Sequence, residues 1–480
     1  YKQYDFIQKL FFTSGKKLEH TLNFQYSNTG NVYRYDRLTE TSNGSLKSAE
    51  WYYGPARRLL FSYRLEILKA NFYDNASITS AFQDIDESRH NRNFGSSRLN
   101  HRYENVKVYS LNADFSKKIG KNQLRYGSEF THNNVQSRAL QENISTHTFT
   151  SLDTRYPSGG SNTQSYAIYA THTAHLTDKF VLNDGLRVTH SRLNADFNDK
   201  TFFPFPFNDV NQHSTAFTGN LGLIYNPTTN WKISAVLSSG FRAPNVDDLA
   251  KVFESANGNL IIPNPNLKPE RTLNYELGVT TVISGKVQLG ITGYYTRFTN
   301  ALTTEPSTFN GQNHVLYNGV LSPVSTTVNK TTAYIYGSNA SLAADINKNI
   351  SFTTSYNYTF GRIKESPEYP LDHIPPSFGR TSISFRFSSF TGELFALYNG
   401  AKHAKDYNLR GEDNQVYSAD PKDGFTPAWI TLNLRTQYQF NKHLSLQFGL
   451  ENITDRFYRV FASGLSSPGR NFIFTLRGRI

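Results

Sequence analysis

The chain has 480 residues, a formal charge of +12 and neither cysteine nor methionine, and 14% of its residues are aromatic. Without cysteine it has no disulfide, thiolate metal site or cysteine nucleophile. No apolar run approaches the eighteen or so residues that a membrane-spanning helix needs, which excludes an α-helical membrane protein. The sequence begins at Tyr1 without an initiator methionine, so we expect residues upstream of it.

Apolar and polar residues alternate along the whole chain, in segments of about nine to twelve residues separated by turns. A period of two predicts β-strands, because successive side chains of a strand point to opposite faces. The first clear segment places Leu22, Phe24 and Tyr26 on one face, and about nineteen such segments follow one another. Further examples are Leu59, Phe61, Tyr63 and Leu65, then Tyr109, Leu111, Ala113 and Phe115, then Leu444, Leu446, Phe448 and Leu450, and finally Phe472, Phe474, Leu476 and Ile480.

The connections between these segments alternate between short and long. The short ones are residues 13–18, 117–122, 177–179, 226–230, 284–285, 347–349 and 441–443, and the long ones are residues 28–55, 83–104, 134–163, 194–214, 241–272, 300–332, 400–427 and 453–469. Short periplasmic turns and long extracellular loops are typical of outer-membrane barrels, whereas a soluble sandwich has no reason to show them. The predicted fold class is therefore all-β, a transmembrane antiparallel β-barrel whose apolar face lies in lipid. Counting back from the last strand indicates that an odd number of strands precedes Tyr1.

Two sets of motifs carry a family resemblance. The segment Gly-Phe-Arg-Ala-Pro-Asn at residues 240–245 is followed by Asn-Pro-Asn-Leu-Lys-Pro-Glu at residues 264–270 and by Tyr-Glu-Leu-Gly at residues 275–278. The second set is Glu-Asn-Ile-Thr-Asp at residues 451–455 and Pro-Gly-Arg-Asn-Phe at residues 468–472. In this order the motifs resemble those of TonB-dependent outer-membrane receptors, the class that takes up siderophores, haem and cobalamin.

The resemblance implies a barrel of about 22 strands in the full protein, of which about nineteen are visible in this chain. It implies that residues 1–480 are the barrel domain and that an N-terminal plug domain lies upstream. It further implies active import across the outer membrane of a Gram-negative bacterium, driven by the TonB–ExbB–ExbD system through that plug. The expected cargo is a scarce metal chelate, a ferric siderophore or haem, with cobalamin as the runner-up. The rival class is a passive porin or a surface adhesin.

No set of residues indicates an enzyme. The sequence has no Gly-x-Ser-x-Gly elbow ahead of a helix and no His-Glu-x-x-His zinc motif. The acidic residues Glu412, Asp413, Asp420 and Asp423 lack the regular ligand spacing of a calcium loop, so no metal site is predicted. We expect no cofactor, apart from iron that belongs to the transported ligand. No nucleic-acid-binding motif accompanies the positive charge, so nucleic acid is not an expected partner.

The first group of ligand-binding candidates is an aromatic cluster in a predicted loop. It consists of Phe202, Phe203, Phe205 and Phe207, stiffened by two prolines. Leaving four phenylalanines in water is unfavourable, so the cluster either packs against neighbouring loops or offers a flat apolar surface to an aromatic or macrocyclic ligand.

The second group is cationic and aromatic. Arg34, Tyr35, Tyr52 and Tyr53 lie in another predicted loop, and together they would line a positive mouth that concentrates an anionic chelate. The alternative partner for such positive charge is the anionic lipopolysaccharide of the outer membrane. Arg242 lies where a strand leaves the membrane, and it is predicted either to form a structural salt bridge or to contact the ligand.

Overall fold

A single antiparallel sheet of nineteen long strands dominates the protein. The computed structural model describes residues 1–42, 44–254, 259–317, 320–408, 426–463 and 465–479. The long strands are β1 (Gln3–Ser14), β2 (Leu18–Thr29), β3 (Ala56–Leu68), β4 (Asn75–Asn93), β5 (Arg98–Ile119), β6 (Asn122–Asn143), β7 (Ser161–His175), β8 (Phe180–Asp196), β9 (Asp209–Tyr225), β10 (Trp231–Arg242), β11 (Glu270–Ile283), β12 (Val287–Pro306), β13 (Val320–Asn347), β14 (Ile350–Ile363), β15 (Phe378–Phe387), β16 (Phe390–Asn399), β17 (Trp429–Gln439), β18 (Leu444–Glu451) and β19 (Asn471–Gly478).

Each long strand pairs with the next strand along the chain, and every one of these pairings is antiparallel. The prediction of nineteen visible strands is confirmed. Sequential antiparallel pairing is what closely spaced strands joined by hairpins produce. The two outermost strands, β1 and β19, are exposed along their whole length.

Shorter elements lie in the connections. In the described residues the helices are α1 (Tyr35–Leu38) and α2 (Val246–Ala250), with one 3₁₀ turn at Ala404–Asp406. The short strands are Val32–Tyr33, Thr41–Ser42, Ser45–Leu46, Ser48–Tyr53, Thr148–Ser151, Phe253–Glu254, Leu260–Ile262, His314–Tyr317 and Tyr369–Pro370. No helix in the described part of the chain is long and apolar enough to cross a membrane.

Side chains alternate between the two faces of the wall. On β5, Tyr109 and Leu111 remain 45% and 48% exposed, as suits side chains that face lipid. The opposite face is polar: Arg187 on β8 forms an ion pair there with Glu129 on β6. The pattern confirms the predicted arrangement, in which the apolar face lies outward and the polar face lines the lumen.

The connections lie alternately at the two ends of the wall. At one end the turns have two to six residues, and at the other end most loops are much longer. Three predicted loops are wrong in extent: β4 and β5 are joined by residues 94–97 alone, and most of residues 83–104, 134–163 and 300–332 belong to strands. The reason is that strands need no apolar face to keep pairing beyond the lipid, so a polar stretch is not necessarily a loop.

Three extracellular loops share a hydrophobic cluster, which we call the loop core. Their described residues are 197–208, 243–254 with 259–269, and 307–317, and they pack on the end of β8. Helix α2 begins with a reciprocal cap, because Asn245 accepts from the backbone N–H of Asp248 and the Asp248 carboxylate accepts from the backbone N–H of Asn245. The buried members of the loop core are Leu193, Ala195, Phe197, Phe205, Val210, Leu249, Ala250, Val252, Leu260, Leu267 and Tyr317.

Candidate functional site

Two guanidinium groups flank one tyrosine ring at the extracellular end of the lumen. Arg34 donates to the Tyr53 hydroxyl at 2.6 Å and to the Asp36 carboxylate at 2.8 and 2.6 Å. Its guanidinium carbon lies 5.2 Å from the ring centroid of Trp51, and that of Arg89 lies 5.1 Å from the ring of Tyr53. Both distances are in the range of cation–π contacts. We call Arg34, Trp51, Tyr53 and Arg89 the mouth cluster.

The register of the strands places the mouth cluster on the lumen face. Tyr53 lies opposite Arg89 on β4, whereas Tyr52 lies opposite His90. On β4, Phe82 packs against the lipid-facing Tyr109 at 5.0 Å between ring centroids, so even-numbered residues of β4 point outward and odd-numbered ones inward. Tyr53 therefore faces the lumen.

Tyr52 and Tyr35 stand apart from the mouth cluster. Tyr52 faces the outer side, where its ring stacks on His90 with centroids 4.6 Å apart. Tyr35 lies on α1 and is 64% exposed. The structure thus brings Arg34 and Tyr53 together, as predicted for a positive mouth, but not Tyr35 and Tyr52. Whether any of the four contacts a ligand stays a prediction.

A buried ion pair ties the mouth to the neighbouring loops. Arg102 on β5 donates to both carboxylate oxygens of Asp153, at 2.9 and 3.0 Å, and Asp153 also accepts from the Tyr317 hydroxyl at 3.0 Å. A second link joins the Tyr156 hydroxyl to the carboxylate of Asp247 on α2, at 3.0 Å. These contacts connect residues 144–160 to the loop core, so these neighbouring loops form one connected body.

Glu104 is a buried carboxylate that sequence reasoning missed. It lies on the lumen face of β5 opposite Glu87, with Arg89 opposite Arg102 two residues further along. Neither Glu104 oxygen has a hydrogen-bond partner among the described residues. Burial raises the pKa of Glu104 to about 7, although the charges of Arg89 and Arg102 oppose that rise. The alternation around it signalled a strand face, but residues 83–104 were predicted to be a loop.

The aromatic cluster at residues 202–207 is divided by its burial. Phe205 is 7% exposed in the loop core, with ring centroids 5.5 Å from Phe197 and 5.6 Å from Phe309. Phe203 and Phe207 pack against the same cluster, while Phe202 stays 40% exposed. Three of the four rings are therefore packed in the loop core, as one of the two interpretations predicted. Contact with a ligand remains a prediction, and of the four rings only Phe202 can make that contact without rearrangement.

Arg242 joins the end of β10 to two acidic residues. Its guanidinium lies 2.7 Å from the Asp248 carboxylate on α2 and 2.5 Å from the Glu270 carboxylate at the start of β11. Glu270 also accepts from the backbone N–H of Leu302 at 2.7 Å. This geometry matches the structural salt bridge, one of the two predicted roles, and explains why Arg242 and Glu270 occur together in the first motif set.

Metal-binding groups of three or more histidine, aspartate or glutamate side chains are absent from the described residues. The acidic residues Glu412, Asp413, Asp420 and Asp423 lie outside the described part of the chain.

An apolar outer face, short turns at one end and packed loops at the other define an outer-membrane β-barrel of Gram-negative bacteria. A family model described as "TonB dependent receptor-like, beta-barrel" matches residues 4–453. The chain therefore belongs to the TonB-dependent receptor β-barrel family, and the predicted resemblance is confirmed.

Sequence identity to individual proteins is low, although the matched segments are long. The chain is 25% identical over 264 residues to the probable hemoglobin and hemoglobin-haptoglobin-binding protein 4 of Haemophilus influenzae, covering 52% of this chain and 25% of that protein. It is 22% identical over 358 residues to the iron-regulated outer membrane virulence protein of Vibrio cholerae serotype O1, covering 74% of this chain and 48% of that protein. The chain thus spans half or less of the length of these curated relatives.

Comparison with a solved structure supports the fold. The chain superposes on the copper transporter OprC with a TM-score of 0.79 and 14% identity, covering 99% of this chain and 71% of that one. At this level of identity the likeness shows the architecture alone.

Proposed function

We propose that the full-length protein imports a scarce metal chelate, a ferric siderophore or haem, across the outer membrane. The observation that carries the proposal is the mouth cluster, two guanidinium groups around one tyrosine ring on the lumen face of a TonB-dependent receptor barrel. Catecholate iron complexes and haem both combine flat π-systems with negative charge. Guanidinium groups and aromatic faces bind that combination. Names that refer to iron and haemoglobin among the relatives support the same cargo class.

In the proposed mechanism the loops capture the chelate and the lumen conducts it inward. Pairing of Tyr53 with Arg89 on β4 and the bonds of Arg34 to Asp36 and Tyr53 hold the mouth cluster in place, so little order has to be gained when the ligand binds. Energy enters through TonB, ExbB and ExbD acting on the plug domain that the family resemblance implies. The protein acts as a transporter, with no chemical step on the cargo.

Uptake measurements test the proposal. The full-length protein is produced in a Gram-negative strain that lacks its own iron receptors, and the entry of a ⁵⁵Fe-labelled tris-catecholate and of haem is followed with and without TonB. We expect saturable uptake of one of the two that disappears without TonB. Absence of both activities, with the protein folded in the membrane, would refute the proposal.

A matched pair of variants tests the role of the mouth cluster. Arg34→Gln with Arg89→Gln removes both guanidinium groups, each worth about 1 kcal/mol, so half-saturation should rise roughly thirtyfold at an unchanged maximal rate. Arg57→Gln is the control, because Arg57 lies opposite Asp86 and faces outward. An equal effect of both changes would contradict a role for the mouth cluster in binding.

Two rival functions have their own tests. Cobalamin is the runner-up cargo, and radiolabelled cobalamin entering in the same TonB-dependent assay would reassign the substrate. A passive porin would conduct ions steadily in a planar bilayer without TonB or ligand. We expect the full-length protein to be nearly silent in that measurement.

A further inference from the structure

The lipid-facing wall contains a groove across β9 to β12, which we call the outer-wall groove. Ala235 on β10 and Gly293 on β12 lie in one row with Leu277 of β11 between them. The two small residues leave a depression of about 750 Å³ that is lined almost entirely by apolar atoms. Larger side chains border it, namely Leu221, Leu223, Leu237, Val279 and Ile291.

Two tyrosines close the extracellular end of the outer-wall groove. Tyr275 on β11 lies directly opposite Tyr295 on β12, and both are exposed. Paired tyrosines on the lipid face are typical of the boundary where acyl chains meet head groups. The end of the groove therefore marks the head-group level of the outer leaflet.

Two arginines follow immediately above the tyrosines on the same face. Arg297 is the eleventh residue of β12, counted from Val287, which places it about 23 Å from the periplasmic end at ~3.3 Å per residue and a tilt of about 45°. Arg271 lies diagonally from it, because the residue opposite Arg297 is Leu273. Both are exposed, and neither side chain forms an ion pair or hydrogen bond with another described residue.

Unpaired positive charge above an apolar groove requires a partner with negative charge above acyl chains. Diagonal neighbours on a sheet are about 7–8 Å apart, so two flexible guanidinium groups reach a single phosphate from both sides. A soluble anion would leave the groove empty, and an apolar protein helix would leave the arginines uncompensated. The geometry points to a phosphorylated amphiphile of the outer leaflet.

We propose that this face binds lipopolysaccharide, with a phosphate of its lipid A between Arg271 and Arg297 and an acyl chain in the outer-wall groove. The site is independent of the proposed import function, because it lies on the opposite face of the wall from the mouth cluster. Its occupant is a structural lipid and not a transported cargo.

Lipid titration of the purified full-length protein in detergent micelles tests the proposal. The probes are diphosphoryl hexa-acyl lipid A, its monophosphoryl form and phosphatidylglycerol, and binding is followed by native mass spectrometry. We expect diphosphoryl lipid A to bind best. Changing both arginines (Arg271→Gln with Arg297→Gln) should weaken it roughly thirtyfold, because each basic residue near an anionic head group contributes about a fivefold factor.

Filling the groove provides a second, independent variant. A Cβ added at Gly293 meets no atom within 4 Å, so Gly293→Leu is compatible with the fold and occupies the place of the acyl chain. This change should weaken lipid A binding while leaving the head-group arginines intact. Arg125→Gln is the matched control, because Arg125 is exposed on the lumen face and lies opposite Ser116 and Thr171.

The outcomes separate the proposal from ordinary lipid contact. Equal binding of phosphatidylglycerol and lipid A would show that the wall merely collects anionic lipids, and it would overturn the proposal. Lipid A binding that survives both the double arginine change and Gly293→Leu would overturn it as well. Iron uptake should stay unchanged in these variants, so a failure here does not affect the import assay.

Discussion

Removing the Phe205 ring should loosen the extracellular loops as a unit. Phe205 is 7% exposed, and its ring meets those of Phe203, Phe207 and Phe309 with centroids 5.8, 5.3 and 5.6 Å apart. Truncation of a buried phenylalanine to alanine costs about 3–5 kcal/mol, through lost transfer free energy and the cavity left behind. A loss of about 3 kcal/mol corresponds to an increase of roughly 150-fold in the population of the open loop body.

Hydrogen–deuterium exchange of the full-length protein measures this opening. In Phe205→Ala, amides of residues 197–208 and of α2 should exchange about two orders of magnitude faster, whereas the middle of β9 keeps its protection. Phe202→Ala is the matched control, because Phe202 is 40% exposed and little packing is lost. If both variants exchange alike, the loop core does not hold the loops together and the packing argument fails.

Three further predictions concern topology, charge and pH. A cysteine at Ser151 should react with an impermeant thiol reagent on intact cells and one at Thr228 should not; the opposite pattern would invert the barrel. Arg242→Ala should make protease cleavage within residues 243–269 roughly fivefold faster, a modest effect because Arg242 is half exposed to solvent. Burial raises the pKa of Glu104 from 4.5 to about 7. The folded state therefore keeps a proton that the unfolded state releases, and roughly 3 kcal/mol of the free energy of unfolding is lost as pH rises from 4.5 to 7. Glu104→Gln should remove that pH dependence from the local exchange of β5, and an unchanged profile would contradict the burial of this carboxyl group.

The strands could be predicted because their signal is local. A period of two is visible in about ten residues, and it predicted the number of long strands, about nineteen. The ends of the strands could not be predicted in this way, because β4, β5 and β6 continue to pair in water, where no apolar face indicates a strand. For the same reason the segment Ser48–Tyr53 was not predicted as a strand, and the opposite orientations of Tyr52 and Tyr53 were missed.

Contacts between loops could not be predicted. Phe205 packs on Phe309, about a hundred residues away, and Arg102 finds its carboxylate in Asp153. Such pairs depend on how far apart the loops stand on the finished wall, and one sequence carries no record of that distance. The ion pair of Arg242 was easier to predict, because its partner Asp248 is six residues away in a segment whose prolines prevent strand pairing.

The unequal strand lengths make the rim of the barrel uneven. Strands β5 and β6 have 22 residues each, whereas β15 and β16 have ten. At ~3.3 Å per residue and a tilt of about 45°, the paired wall is roughly 50 Å tall on one flank and about 23 Å tall on the other. The high flank is a rigid sheet standing clear of the bilayer, and the mouth cluster is fixed to it. A molecule diffusing toward the cell therefore meets that flank well before it reaches the plane of the lipid head groups, which enlarges the target it has to find.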